Sequence, residues 1–247
     1  MIQDHDLEKM GTLQITVVDA YEMAMYEKEK FVAIRRNGFG ASDSSIILGV
    51  NPFTDTDTLI AQKLSPIVTE EEKAVGEKES VRKGADLEPL ILQKFEQWSG
   101  LDVHKPDAMY QLTKHPQLTV NFDGIIELGT TYIPVEAKYV SPYANKYWDR
   151  SKRLGAVHEG SAKLCAGNSI EDHIQQEATL YGIPPYYYTQ VQQQLLALEA
   201  PFGYLVGLFD KGWEIGVYKI FADKAAQDAL IERSANLWQI IQERKTA

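Results

Sequence analysis

Leu118, Val120 and Phe122 alternate with polar neighbours, and beyond Gly129-Thr130-Thr131 the alternation resumes at Ile133, Val135, Ala137 and Tyr139. Period two on both sides of a turn predicts a β-hairpin. On its second strand Glu136 and Lys138 stand two residues apart and emerge together on the face opposite the apolar set. Asp123 directly precedes Gly124 near the end of the first strand, where a bend or close backbone approach lets its carboxylate turn toward Glu136. Elsewhere the pattern is helical. The stretch from Asp19 to Arg36 has helical composition, Ser42 can cap a short helix that Gly49 ends, and Asp57 can cap another running through Leu64. Gly84 to Pro89 opens a longer helix with Leu87, Ile91, Phe95 and Trp98 as its stripe and Gly100 as its stop, Pro89 marking a first turn or a kink. A helix after Tyr186 carries Val191, Leu195 and Leu198 inward. Phe202 to Phe209 and Trp213 to Ile220 form a second hairpin around Asp210-Lys211-Gly212, and a closing helix capped near Asp223 buries Ala226, Leu230, Leu237 and Ile241. This order predicts one α/β domain over residues 1–247, a central mixed sheet flanked by helices.

Composition adds the class. At 247 residues, 44% apolar and 24% charged, the chain has the make-up of a soluble globular protein with ample core. The first residues lack a basic region followed by an apolar stretch, and no apolar run can span a bilayer, so the expectation is a cytoplasmic protein without a membrane partner. Cys165 is the single cysteine, which excludes an internal disulfide and any multi-cysteine zinc site. A net charge of -10 runs against nucleic-acid binding unless charge is locally concentrated. It is concentrated from Lys146 to Lys163, where Lys146, Arg150, Lys152, Arg153 and Lys163 face only Asp149 and Glu159, with Tyr143, Tyr147 and Trp148 close by. Basic residues interleaved with aromatics suit a nucleic-acid groove, and the glycine and serine that follow fit a flexible surface loop equally well.

Chemistry gathers on the first hairpin. Two carboxylates brought to one point repel each other unless a cation lies between them, and hard oxygen ligands suit Mg²⁺ or Mn²⁺. A lysine beside such a pair can orient or deprotonate an attacking water and stabilise charge on a phosphate, so phosphodiester hydrolysis is the candidate reaction. The competing reading is an ordinary half-exposed hairpin with turn chemistry at Asp123-Gly124. Glu88 is either a third carboxylate or an exposed acid near a helix start. Arg35 and Arg36 beside the Ser42 helix start make an anion site or a plain cap. The glutamines from Gln190 to Gln194 read as a polar helix surface, Gln190 and Gln194 sharing one side.

Five short patterns in series resemble the lambda exonuclease and YqaJ-type viral recombinase family of the PD-(D/E)XK nuclease superfamily. They are Arg35 with Ser42 in Arg-Asn-Gly-Phe-Gly-Ala-Ser-Asp, Gly84 with Glu88-Pro89, His115-Pro116 ahead of Asp123-Gly124, Glu136-x-Lys138, and Gln190-Val191-Gln192 after tyrosines. The resemblance implies a restriction-endonuclease-like core over roughly residues 30–210, with an insertion around 143–185. It implies that Asp123 and Glu136 hold Mg²⁺, or Mn²⁺ in its place, together with Glu88 and the backbone carbonyl of Ala137. Lys138 is then the catalytic lysine, Gln190 the glutamine that positions it or the substrate, and Arg35 and Ser42 the pocket for a 5′-phosphate. Lys146, Arg150, Lys152 and Arg153 are the candidate DNA contacts, and His115 is structural. The activity implied is 5′→3′ resection of duplex DNA ends in phage-type recombination, by a homo-oligomer, most simply a trimer, working with a single-strand annealing protein. An endonuclease, a 3′-end nuclease and an inactive DNA-binding module share the same motifs.

Overall fold

The computed structural model describes residues 15–20, 35–65, 74, 78–106, 108–154 and 169–246. Its centre is a four-stranded mixed sheet of β4 (Gly124–Leu128), β5 (Thr131–Val140), β6 (Phe202–Phe209) and β7 (Glu214–Phe221) in that order. Its outer pairs are antiparallel hairpins, β6–β7 being the second predicted one, and β5 and β6 join them in parallel, with Val135 opposite Tyr204 and Lys138 opposite Gly207. A parallel pair needs a long crossover, and residues between β5 and β6 supply it, including α4 (Ile170–Tyr181) and α5 (Pro185–Leu198).

The alternating run from Leu118 to Phe122 does not form the first strand of that hairpin. Thr119–Val120 is β3 of a separate antiparallel sheet with β2 (Ala108–Leu112) and β1 (Ile15–Ala20), and the hairpin begins only at Gly124. Asp123 therefore sits where the chain crosses from one sheet to the other. Asp19 and Ala20 are the end of β1 and not helical, while residues 21–34 lie outside the described part, as do Glu159, Lys163 and Cys165.

The helices carry further corrections. Ala41–Asp43 is a 3₁₀ turn followed by the short α1 (Ser44–Ile47). Ser42 lies inside that turn and caps nothing; it is Asp43 that reaches back, its Oδ2 accepting the Gly40 N–H at 3.0 Å. In α2 (Thr56–Leu64) the cap is Asp55, which accepts from the Thr58 amide at 2.8 Å, with Asp57 in the first turn. The next helix, α3 (Glu79–Ser99), starts before Gly84 and carries Pro89 in its interior, and left-handed Gly100 ends it as the sequence indicates. Ile91 and Phe95 are fully buried against the sheet, while Trp98 is exposed. The helix α4 was not apparent from apolar spacing, although Ser169 caps it and left-handed Gly182 ends it. The last helix, α6 (Lys224–Thr246), is capped by Asp223 through the Ala225 and Ala226 amides and buries the four predicted positions.

Both faces of β5 are covered: α3 packs on one and α5 lies across the other. Alternation sends Val135, Ala137 and Tyr139 toward α3, and Glu136 and Lys138 toward α5.

Candidate active site

Glu136 is 1% exposed, and both of its carboxylate oxygens are occupied. Its Oε1 accepts from Lys138 Nζ and from Gln190 Nε2 (2.5 Å), and its Oε2 accepts from Gln194 Nε2 (2.5 Å). Burial and then the Asp123 charge push its carboxyl up to about 7, Lys138 opposing them. Burial alone would lower the Lys138 ammonium, but the charges of Glu136 and Asp123 more than reverse this and raise it. Lys138 is thus held cationic beside an acid raised above the usual carboxylate range.

Asp123 comes to the same place by a backbone contact, its Oδ2 accepting the Ala137 amide at 2.9 Å. In an extended strand the N–H and C=O of one residue leave to the same side. The Ala137 carbonyl therefore faces the side on which β4 has already ended, beside Asp123. Gly124 makes the crowding possible: a Cβ there would lie 2.4 Å from Val103 Cγ1 and 3.2 Å from Leu92 Cδ2. Through that close approach α3 brings Glu88 near enough that burial, and then the Asp123 charge, raise its carboxyl. Glu88 is steadied by Lys105 at 2.5 Å.

The sequence-derived acids thus share one electrostatic neighbourhood, although among the described residues no three His, Cys, Asp or Glu side chains converge closely enough to hold an ion as they stand. The donor set nevertheless fits a hard divalent cation: it is all oxygen, and the Asp123 charge raises the carboxyls of both Glu88 and Glu136. Lys138 and Lys105 now supply the positive charge it demands.

The glutamine run is not the polar helix surface that its sequence suggests. Gln192, Gln193 and Gln194 are fully buried, and each ties α5 to a different element. Gln193 Nε2 donates to the carbonyls of Phe39 and Thr119, both at 2.9 Å, and Gln192 bonds the Phe221 carbonyl and the Asp223 amide, both at 2.8 Å. Gln194, on the Gln190 side of the helix, grips Glu136. The i, i+4 spacing of Gln190 and Gln194 was the available signal for this second glutamine.

Arg35 and Ser42 are brought together, Arg35 Nη2 donating to Ser42 Oγ at 2.7 Å. Gly40 leaves room for the guanidinium, since an added Cβ would stand 3.1 Å from Nη2. Beneath them Lys63 neutralises buried Asp43 at 2.8 Å, and its charge, working against burial, keeps that carboxyl below its usual value. The segment is fastened to the strand leading to Asp123 by paired backbone bonds between Phe39 and residues Gln117 and Thr119, and Gln193 clamps that junction.

The basic segment divides. Arg150 and Arg153 pair with Glu214, and Lys152 donates to the Thr179 carbonyl at 2.6 Å, so these three brace the segment against β7 and α4. Trp148 is buried among Tyr187, Phe209 and Tyr218 and offers no face to a base. Lys146 is exposed, as are Tyr143 and Tyr147.

An acidic pair and a lysine thus meet at β5 of a mixed sheet, flanked by a helical acid and a helical glutamine. The chain belongs to the YqaJ-like viral recombinase domain family, whose model matches residues 30–199. An uncharacterised YqaJ protein of Bacillus subtilis (strain 168) is 30% identical over 122 residues, covering 49% of this chain. That match spans 36% of the relative's own length. The fold is similar to the crystal structure of an alkaline exonuclease (LHK-Exo) from Laribacter hongkongensis, with TM-score 0.55 and 15% identity over 88% of this chain and 96% of that one. The same enzyme in complex with dAMP gives TM-score 0.55 at 16% identity, with the same coverage.

Proposed function

We propose that this chain is a divalent-metal-dependent DNA exonuclease that hydrolyses phosphodiester bonds from the ends of linear duplexes, 5′→3′, in the end resection that precedes recombination. The observation that carries the reading is the buried Glu136 carboxylate, shared between Lys138 and two glutamines at the strand edge where Asp123 meets the Ala137 backbone. Glu88, Asp123, Glu136 and the Ala137 carbonyl would hold Mg²⁺ or Mn²⁺, which supplies positive charge against the charge developing on the phosphate. Lys138 presents its ammonium to the attacking water or to a phosphate oxygen. Gln190 and Gln194 fix the orientation of Glu136, so that its oxygens are aimed before substrate arrives. A homotrimer that turns its basic surfaces inward would let a chain of charge -10 embrace DNA, and a single-strand annealing protein is a natural partner for the product strand.

Cation binding competes with the proton on Glu136. The carboxylate form predominates above about pH 7, so affinity for Mn²⁺ is expected to rise about tenfold per pH unit below that point and to level off above it. Calorimetric titration with Mn²⁺ at a series of pH values between mildly acidic and mildly alkaline checks this; a flat profile contradicts Glu136 as a ligand.

Arg35 and Ser42 together offer a charged fork and a hydroxyl, which suits the extra charge of a terminal phosphate. Linear DNA bearing a 5′-phosphate is expected to be degraded faster than the same DNA ending in a 5′-hydroxyl, and Arg35→Ala to erase the difference. A charge-assisted contact of roughly 1.5–3 kcal/mol corresponds to a preference of about tenfold to a hundredfold. Equal slowing of both ends by Arg35→Ala assigns Arg35 to general phosphate attraction instead.

A further inference from the structure

Beyond Lys138 the α5 start carries a run of rings toward the surface. The Lys138 amine lies 5.5 Å from the centroid of the Tyr187 ring, Tyr187 meets Tyr186 edge to face at 4.5 Å, and Tyr186 meets Phe53 edge to face at 5.5 Å. Phe53 is 77% exposed. It is not a loose loop residue: Asn51 Oδ1 accepts the amides of Phe53 and Thr54 at 2.8 and 3.0 Å, and Asn51 Nδ2 donates to Ser45 Oγ at 2.8 Å. The loop that presents this ring is pinned to the element that follows Arg35 and Ser42. Tyr147 and Lys146, from the segment after β5, line with Phe53 a cleft of about 460 Å³.

We propose that this cleft is a subsite for unpaired bases of the DNA strand that passes the candidate active site, with Phe53, Tyr147 and Tyr186 as stacking surfaces. The inference rests on the nuclease reading and adds to it a place where bases, rather than phosphates, are held. Three features select this occupant. The rings of Phe53 and Tyr147 are exposed and that of Tyr186 half-buried, and such aromatic faces match a base π-face, which every base offers regardless of sequence. Lys146, exposed at the cleft, supplies a cation for the strand backbone in a chain otherwise acidic, while Lys152 offsets Asp149. The ring series is continuous with the lysine that faces the scissile phosphate, so a base in the cleft belongs to a nucleotide near the one being cut.

The test compares, in EDTA, binding of a short oligothymidylate with that of a sugar-phosphate strand of the same length lacking bases. The wild type is expected to prefer the base-bearing strand by roughly fivefold to a hundredfold. Phe53→Ala is expected to lower the ratio severalfold while affinity for the abasic strand stays unchanged, and Phe53→Trp to keep the preference. Because Phe53 is mostly exposed, its removal empties no core. An unchanged ratio in Phe53→Ala, or an equal loss for both strands, overturns the subsite. Binding of a proline-rich peptide that Phe53→Ala removes, with no base dependence, also overturns it and makes the cleft a peptide groove. Mg²⁺-dependent cleavage of linear duplex separates the two levels: if it is present while base dependence is absent, the subsite alone fails, and if the wild type neither cleaves nor binds any strand, the nuclease reading itself fails.

Discussion

Replacing Lys138 with alanine is expected to lower phosphodiester cleavage by roughly 10²–10⁴-fold, the range for loss of a positioned proton-transfer or charge-stabilising group. Folding should survive the change. Lys138 is partly exposed, and without it Glu136 keeps both glutamine donors and takes up a proton at neutral pH more readily than it does now. Divalent-ion binding should also survive once the pH is high enough to ionise Glu136, because the amine holds no ion, whereas at neutral pH the firmer proton on Glu136 weakens it. Circular dichroism, Mn²⁺ titration and single-turnover cleavage on the same preparation separate these three properties. Wild-type turnover by Lys138→Ala removes the lysine from the mechanism, and a collapse of folding alongside activity assigns it to structure.

The second large effect concerns stability. Asp223 is 1% exposed, and its Oδ2 accepts the Tyr188 hydroxyl at 2.8 Å and lies 2.8 Å from the His173 Nε2. Burial and the Asp223 charge hold the Tyr188 hydroxyl protonated, so the tyrosine donates. The other oxygen caps α6, and the Asp223 amide bonds Gln192. One carboxylate therefore joins α4, α5 and α6 at the helix that aims Gln190 and Gln194. Asp223→Ala strands a buried imidazole, a buried hydroxyl and two helix-start amides, and is expected to cost about 3–5 kcal/mol in chemical denaturation. Asp223→Asn, which retains the capping oxygen, should cost less. A loss within about 0.5 kcal/mol for the alanine variant, the size of an ordinary surface change, contradicts this role.

What could be read from the chain beforehand was what depends on neighbours in sequence. Period two placed Glu136 and Lys138 on one face, Asp-Gly signalled the close approach that Gly124 makes against Val103, and the second hairpin and the Asp223 cap follow local rules. Sheet membership does not. Leu118 to Phe122 has the alternation of a hairpin strand, but it pairs with β2 just before it, in a sheet completed by β1 from far back along the chain. The glutamines of α5 illustrate the same limit: three consecutive polar residues on a helix look solvated, and they are buried only because carbonyls of Phe39, Thr119 and Phe221 wait opposite them. Trp148 reads as part of a DNA-facing set, yet the rings of Phe209 and Tyr218, both distant in sequence, bury it, and Glu214 pairs with the arginines after it. The α4 helix had a cap at Ser169 and a stop at Gly182, which its sparse apolar pattern did not reveal.

The central claim is hydrolysis of DNA ends at a divalent-ion site built on Asp123, Glu136 and Lys138. Its most direct test is incubation of the purified protein with linear duplexes labelled at one end or the other, in Mg²⁺ and in EDTA. The account predicts progressive release of label from the 5′ end in Mg²⁺, none in EDTA, and none from a covalently closed circle. Cleavage that persists in EDTA, or intact duplexes in Mg²⁺ from a folded wild-type protein, would contradict it.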